Sequence, residues 1–341
     1  MQKILAVFPL LLLSVYLNAQ IPIDNVRLFS IVTTNDTIQF IRIDADTTKT
    51  KPTILFCQGS LPIPLIGKHK DGSSFIYATN NFDYKKISEK YNIIVISMPN
   101  TPVVADRKQL NHQYAYVPDT LKPYTVDRQY WKNNYLEKYV ERDNRVLNFL
   151  RKQTWVDKNK IIIIGHSQGS HIALELAKQN QDIYALGYFG GNILGRYASI
   201  ILQQRNAANS GKISQEEAQT NIDDKYSWWK TVCRDTTEFS IEKSDSKRAW
   251  KSFSQPDIEL LTSIKTPLFI AYGTKDDGAQ MGDVMPVFFE LKGKTNYKMR
   301  PFVGCGHNFE EINPDGSSNW DKMHWKEAMN DFISWIENSK N

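Results

Sequence analysis

The chain has 341 residues, with 42 Lys and Arg against 37 Asp and Glu, 41% hydrophobic residues and 23% charged ones. These proportions exclude a disordered, collagen-like or disulfide-scaffold protein and supply enough apolar bulk for one large core or two average ones. The formal net charge of +5 is small for this length, and no run of Lys and Arg is dense enough to make a nucleic-acid-binding face.

The N-terminal segment reads as an export signal. Lys3 supplies a positive start, residues 4–13 are apolar, and Asn18-Ala19-Gln20 offers a small residue at a cleavage point. A secretory leader of residues 1–19, cut near Ala19, is therefore expected, although Leu17 is a poorer residue than alanine at the third position upstream. The apolar run is shorter than the roughly twenty residues a spanning helix needs. Stable membrane insertion is not expected, an uncleaved anchor being the alternative, and the mature chain 20–341 is expected to be secreted or periplasmic. Cys57, Cys233 and Cys305 are an odd set, so at most one disulfide can form and the spacing selects none. Cys57 lies in an apolar run and reads as a small buried hydrophobe.

After the leader, strand-like runs appear at 26–33 and 38–43, with Asn35-Asp36 as a turn between them. Further runs cover 53–57, stopping at Gly59, and 93–97, closed by Pro99. Residues 161–164 are four isoleucines in succession, the mark of a strand buried on both faces of a parallel sheet. Runs at 184–189, 267–272 and 297–303 complete the series. Between them, Leu136, Tyr139, Val140, Asp143, Leu147 and Leu150 recur at helix spacing, as do Gly169, Ile172, Ala173, Leu176 and Ala177. A closing helix is expected over 320–337. This alternation predicts an α/β fold with a mostly parallel central sheet flanked by helices. Two stretches stand outside it: the Tyr- and Pro-rich 99–131, and a long polar segment after residue 190. A structureless loop of that length is unusual in a compact domain, so residues 191–264 read as an inserted cap or lid.

The chemistry centres on Gly165-His166-Ser167-Gln168-Gly169, a G-x-S-x-G sequence with a buried strand before it and an amphipathic helix after it. Such a turn forces strained angles on Ser167 and lifts its hydroxyl above the sheet edge. Glycines two positions either side allow the strand and helix to approach closely enough, and the helix N-terminus favours developing negative charge. A nucleophilic serine needs a base, and the base an orienting acid, in this context in the order serine, acid, histidine. His307, in the glycine-rich turn Gly304-Cys305-Gly306-His307, fits the base. His324 also follows in order, but inside the expected closing helix it reads as a solvated histidine. His166 adjoins the nucleophile with its side chain expected to point away from Ser167. The acid comes from Gly273-Thr274-Lys275-Asp276-Asp277-Gly278, at the C-terminal end of a predicted strand. The Gly-x-x-Asp spacing favours Asp276 over Asp277, and the simpler alternative is that both only cap the next turn.

These motifs resemble the α/β-hydrolase family over nearly all of the mature chain, from the opening hairpin through Phe56-Cys57-Gln58-Gly59-Ser60, Gly165–Gly169 and Gly273–Asp276 to Gly306-His307. The resemblance implies an oxyanion hole built from the backbone N–H of Gln168 and that of Ser60. Members usually carry His-Gly where this chain has Gln58-Gly59, which leaves the second donor open between Ser60 and Leu61. Trp155-Val156-Asp157 before the isoleucine strand resembles the prolyl-oligopeptidase branch and its related esterases, although a propeller has no room here.

No H-E-x-x-H, paired C-x-x-C or P-loop sequence is present, and the expected chemistry calls for no cofactor and no metal. The leading expectation is a serine hydrolase of a small-molecule carboxylic ester or acyl substrate. A peptidase or amidase using the same triad is the second, and a non-catalytic binding module on the same fold the third. Tyr114, Tyr116, Tyr124, Tyr130, Trp131, Tyr226, Trp228 and Trp229 either line an aromatic pocket or pack the insertion against the sheet.

Overall fold

The computed structural model describes residues 19–20, 23–46, 48–118, 126–235 and 245–338. The leader up to residue 18, Tyr124 and residues 236–244 of the expected cap lie outside the described residues. The strands are β1 (Ala19–Gln20), β2 (Val26–Val32), β3 (Thr37–Ile43), β4 (Lys51–Cys57), β5 (Ile66–Lys68), β6 (Ser74–Ile76) and β7 (Asn92–Ile96). They continue as β8 (Val104–Asp106), β9 (Val156–His166), β10 (Ala185–Phe189), β11 (Leu268–Gly273), β12 (Tyr297–Phe302), β13 (Glu310–Ile312) and β14 (Ser318–Met323). The helices are α1 (Tyr84–Lys90), α2 (Arg128–Asn133), α3 (Leu136–Leu150), α4 (Gln168–Gln179) and α5 (Arg196–Asn209). Then follow α6 (Gln215–Arg234), α7 (Lys247–Ser252), α8 (Ile258–Ser263), α9 (Ala279–Leu291) and α10 (Trp325–Asn338).

The main sheet runs β1-β2-β3-β7-β4-β9-β10-β11-β12. It is antiparallel from β1 to β7 and parallel from β7 to β12. Strand periodicity explains the two layers that cover it. Ile161 and Ile163 of β9 join one core with α3 and α4, while Ile162 and Ile164 join the opposite core with Phe332 of α10. All four are at most 1% exposed, each burial worth about 2 kcal/mol in transfer free energy. In the same way β11 sends Leu268 and Ile270 to the first core and Phe269 and Ala271 to the second.

Two local expectations are corrected. Residues 320–323 belong to β14, not to the closing helix, because Ser318–Met323 pairs antiparallel with β13. The helix starts at Trp325, so His324 precedes it rather than riding within it. At the sheet edge, Ala19 and Gln20 pair with Leu28 and Arg27. Cys57, Cys233 and Cys305 are free, and Cys57 and Cys305 are buried. No helix among the described residues is long and apolar enough to cross a membrane.

Candidate active site

β9 ends at His166 and α4 begins at Gln168, which leaves Ser167 alone to make the turn. Its φ of 55° and ψ of −123° lie where a side chain is strained, at a cost of about 1–3 kcal/mol. The surroundings hold it there. The Ser167 N–H donates to the Phe189 carbonyl at 2.9 Å, and the Ser170 N–H and hydroxyl donate to the Ser167 carbonyl at 3.0 and 2.6 Å. The flanking glycines are required by contact. A Cβ at Gly165 would stand 2.0 Å from the Gly169 carbonyl oxygen, and one at Gly169 would stand 2.1 Å from that of Cys57.

The loops after β11 and β12 bring Asp276 and His307 to the same sheet edge. His307 Nε2 lies 2.9 Å from Ser167 Oγ, and its Nδ1 lies 2.7 Å from Asp276 Oδ2. An ionised carboxylate can only accept, so Nδ1 carries the proton and donates its hydrogen bond to Asp276, and Nε2 is free to accept from the serine hydroxyl. Of the two aspartates, Asp276 meets the ring. Asp277 lines the adjoining cavity, and its backbone carbonyl accepts from the Asn206 amide at 3.4 Å. His324 pairs instead with Glu327 and Glu311.

Sequence reasoning assigned no task to His166 or Glu310. His166 Nε2 donates to the His307 carbonyl at 3.0 Å. Burial, with the neighbouring His307 adding to it, pushes the His166 ring down to about 3 and keeps it neutral. Buried Glu310 accepts from the Asn308 N–H at 2.8 Å and from the Ser318 hydroxyl at 3.0 Å, shaping the turn that presents His307.

Charges are balanced toward ionised Asp276 and a basic His307. Burial pulls the His307 pKa down, but the Asp276 hydrogen bond and charge, aided by Glu310 and Asp277, raise it above the ordinary value. Burial pushes the Asp276 carboxyl up, and the hydrogen bond and charge of His307 with the Gly278 N–H bring it below the usual range. The ring sits deep among protein atoms, yet 40% of the side chain is open to solvent.

Gln168 is the first residue of α4, so its N–H has no intrahelical acceptor and lies at the positive end of the helix. Ser60 lines the same cavity as Ser167 and Gln168. Its carbonyl accepts from the fully buried Tyr130 hydroxyl, which fixes the loop. Leu61 lies on a neighbouring cavity, and its carbonyl accepts from the Ile63 N–H. Gln58 donates its amide to the Ile96 carbonyl at 2.9 Å.

Two cavities meet at Ser167 and His307. One, of about 310 Å³, is lined by Gln58, Leu61, Tyr77 and Trp325 among others. The other, of about 420 Å³, is walled by Arg196, Ser199, Gln203 and Trp250 from the inserted segment and by Asp276 and Asp277. A roomier depression of about 670 Å³ between α3, α4 and α8 is lined by none of Ser167, Asp276 and His307. Trp228 and Trp229 stack on Tyr197 and thus pack α6 against α5, while Trp250 reaches the cavity. Tyr130 is buried, and the Tyr114 ring packs at a tilt against Tyr77, with centroids 5.3 Å apart.

Residues 49–336 match the Esterase family model. Compared with curated proteins, the chain matches none significantly. Among solved structures it is similar to the acylaminoacyl peptidase of Pyrococcus horikoshii, at 16% identity and a TM-score of 0.51 over 91% of this chain. It spans only 41% of that peptidase. It is also similar to the α/β-hydrolase GrgF from Penicillium sp. sh18, at 11% identity and a TM-score of 0.51, covering 92% of this chain and 98% of that one.

Proposed function

The chain belongs to the Esterase family and folds as an α/β-hydrolase, and from that premise we propose that it cleaves a carboxylic ester through an acyl-enzyme formed on Ser167. The observation that carries the reading is the unbroken hydrogen-bond chain from Ser167 Oγ through His307 to Asp276, at 2.9 and 2.7 Å. His307 Nε2 takes the hydroxyl proton as Oγ bonds to the ester carbonyl carbon. Asp276 holds the ring in the required tautomer and stabilises the imidazolium. The N–H groups of Gln168 and Ser60 receive the oxyanion, helped by the N-terminus of α4. Collapse breaks the carbonyl carbon–alkoxy bond, and His307 returns its proton to the departing alcohol. A water molecule, deprotonated in turn by His307, then releases the acid and restores Ser167.

In the same reading the inserted segment 191–264 is a cap that shapes substrate choice, supported by Arg196, Ser199, Gln203 and Trp250 on the wall above the nucleophile. The mature enzyme works in a secreted or periplasmic setting, a reading supported by the leader-like start of the sequence. The test is a fluorophosphonate probe with peptide mapping. One adduct is expected, on Ser167, together with hydrolysis of short para-nitrophenyl esters, both lost in Ser167→Ala. Equal labelling of that variant would remove Ser167 from the mechanism.

A further inference from the structure

The cavity walled by the inserted segment has Ile200, Trp250 and Phe253 on its lining, but most of the residues around it are polar. Asn192, Ser199, Gln203 and Arg196 contribute to it, and among its described lining residues Arg196 has the one permanent positive charge. The arginine is the first residue of α5, and its backbone N–H donates to the Phe253 carbonyl at 2.8 Å, which ties the helix start to the end of α7. Its side chain is held from behind. One terminal nitrogen pairs with Asp245, and the guanidinium carbon lies 3.8 Å from the centroid of the Trp250 ring.

Asp245 is itself committed and only 5% exposed as a side chain. Its other oxygen accepts the Asn134 amide at 2.5 Å, and the Asn134 oxygen in turn accepts the Gln168 amide at 3.0 Å. The amide orientations follow from Asp245, which can only accept. Asn134 must turn its NH2 to the carboxylate and its oxygen to Gln168. The guanidinium therefore spends one corner on an anchor shared with the nucleophile's neighbour. Of its five donors the rest remain, in a planar fork whose side chain is 30% exposed. The carboxylates of Asp276 and Asp277, both acting on His307, line the same cavity, so it carries charges of both signs.

Taking the ester-hydrolase reading above as given, we infer that Arg196 is a specificity residue and that the preferred ester carries a carboxylate, bound in this cavity by the free N–H groups of its guanidinium. Fixing by Asp245 and Trp250 lowers the ordering cost of such a contact, which favours recognition over simple charge attraction.

The experiment compares kcat/KM within two matched pairs. Para-nitrophenyl hydrogen adipate against para-nitrophenyl hexanoate places the charge on the acyl side. Para-acetoxybenzoate against its methyl ester places it on the alcohol side. The charged member is expected to be preferred at least tenfold in one pair, with KM for that member rising as salt is added. Arg196→Gln should reduce that ratio at least tenfold, and Arg196→Lys should restore part of it. Should Arg196→Gln fail to fold, the wild-type ratios, their salt dependence and the lysine variant decide. Ratios near one in both pairs, or a ratio unchanged in both variants, would overturn the inference. Turnover of the neutral esters with Ser167 labelled, but without preference, removes the carboxylate reading alone. No turnover together with no labelling removes the hydrolase reading beneath it.

Discussion

Asp276→Asn tests the triad where two candidates stand side by side in the sequence. The carboxylate accepts from His307 Nδ1 at 2.7 Å and also receives the Gly278 N–H. An asparagine keeps the shape but offers one acceptor and one donor group. With its oxygen turned to the Gly278 N–H, its NH2 faces Nδ1, which must then accept. The ring proton moves to Nε2, and Nε2 can no longer take the Ser167 proton. Loss of the acid by this route costs about ten-thousandfold in turnover, or about 5.5 kcal/mol of transition-state stabilisation. Asp277 makes no contact with the ring and only adds to the field that raises it. Asp277→Asn should therefore cost no more than a few fold. The assay is steady-state hydrolysis of a para-nitrophenyl ester from pH 5 to 9, with the rate of fluorophosphonate labelling as a second readout. Removing the carboxylate also removes what holds the His307 pKa up, so residual activity in Asp276→Asn should extend to lower pH than in the wild type. A loss under tenfold for Asp276→Asn, or a larger loss for Asp277→Asn, would refute the assignment.

Two further substitutions probe what supports the site. Gly169→Ala would place a methyl 2.1 Å from the Cys57 carbonyl and 2.5 Å from that of Gln58. The clash should cost about 1–3 kcal/mol by thermal denaturation, and kcat should fall at least tenfold because the displaced strand end carries Ser60; unchanged kcat would separate Ser60 from the oxyanion. Burial pushes the Asp143 carboxyl up to about 7, with Arg142 and Cys57 only partly offsetting it. Its protonated form therefore stabilises the fold fully below the unfolded carboxyl value, and this stabilisation is lost as pH rises toward 7, by at most about 4 kcal/mol. Asp143→Asn should thus have a higher Tm than the wild type at pH 8 and little advantage at pH 4; the reverse order would place a charged, compensated carboxylate there.

The fold and the meeting of Ser167, His307 and Asp276 were legible because their signals are local. Four isoleucines, a serine between glycines and a helical repeat write the β9–Ser167–α4 turn into one continuous stretch, residues 161–179. Asp276 and His307 follow from chain order once the parallel strands before them are recognised. The failures share one physical cause, which is contact between distant segments. Residues 320–323 carry apolar positions compatible with a helix, and only pairing with β13 decides for a strand. Trp228 and Trp229 are as aromatic as Trp250, but Tyr197 claims both of them and leaves Trp250 to the cavity. His166 looked like a bystander until the turn after β12 laid the His307 carbonyl against it.

This division explains how one scaffold can keep its chemistry while its substrate changes. Ser167, Asp276 and His307 sit in the turn and loops that follow β9, β11 and β12, strands whose positions are set by a core buried on both faces. The cavity wall comes from α5 and α7, outside that sheet, where substitutions leave the strand register intact. The two are still not independent. Arg196, Asp245, Asn134 and Gln168 form one chain of contacts from the wall to the residue after the nucleophile. A change at Arg196 that frees Asp245 leaves a nearly buried carboxylate to find new partners, and the nearest donor already bound to it is the Asn134 amide that orients Gln168. In the proposed reading, selectivity set at Arg196 is thereby coupled to the turn that carries Gln168, and double-mutant cycles between Arg196 and Asn134 measure that coupling directly.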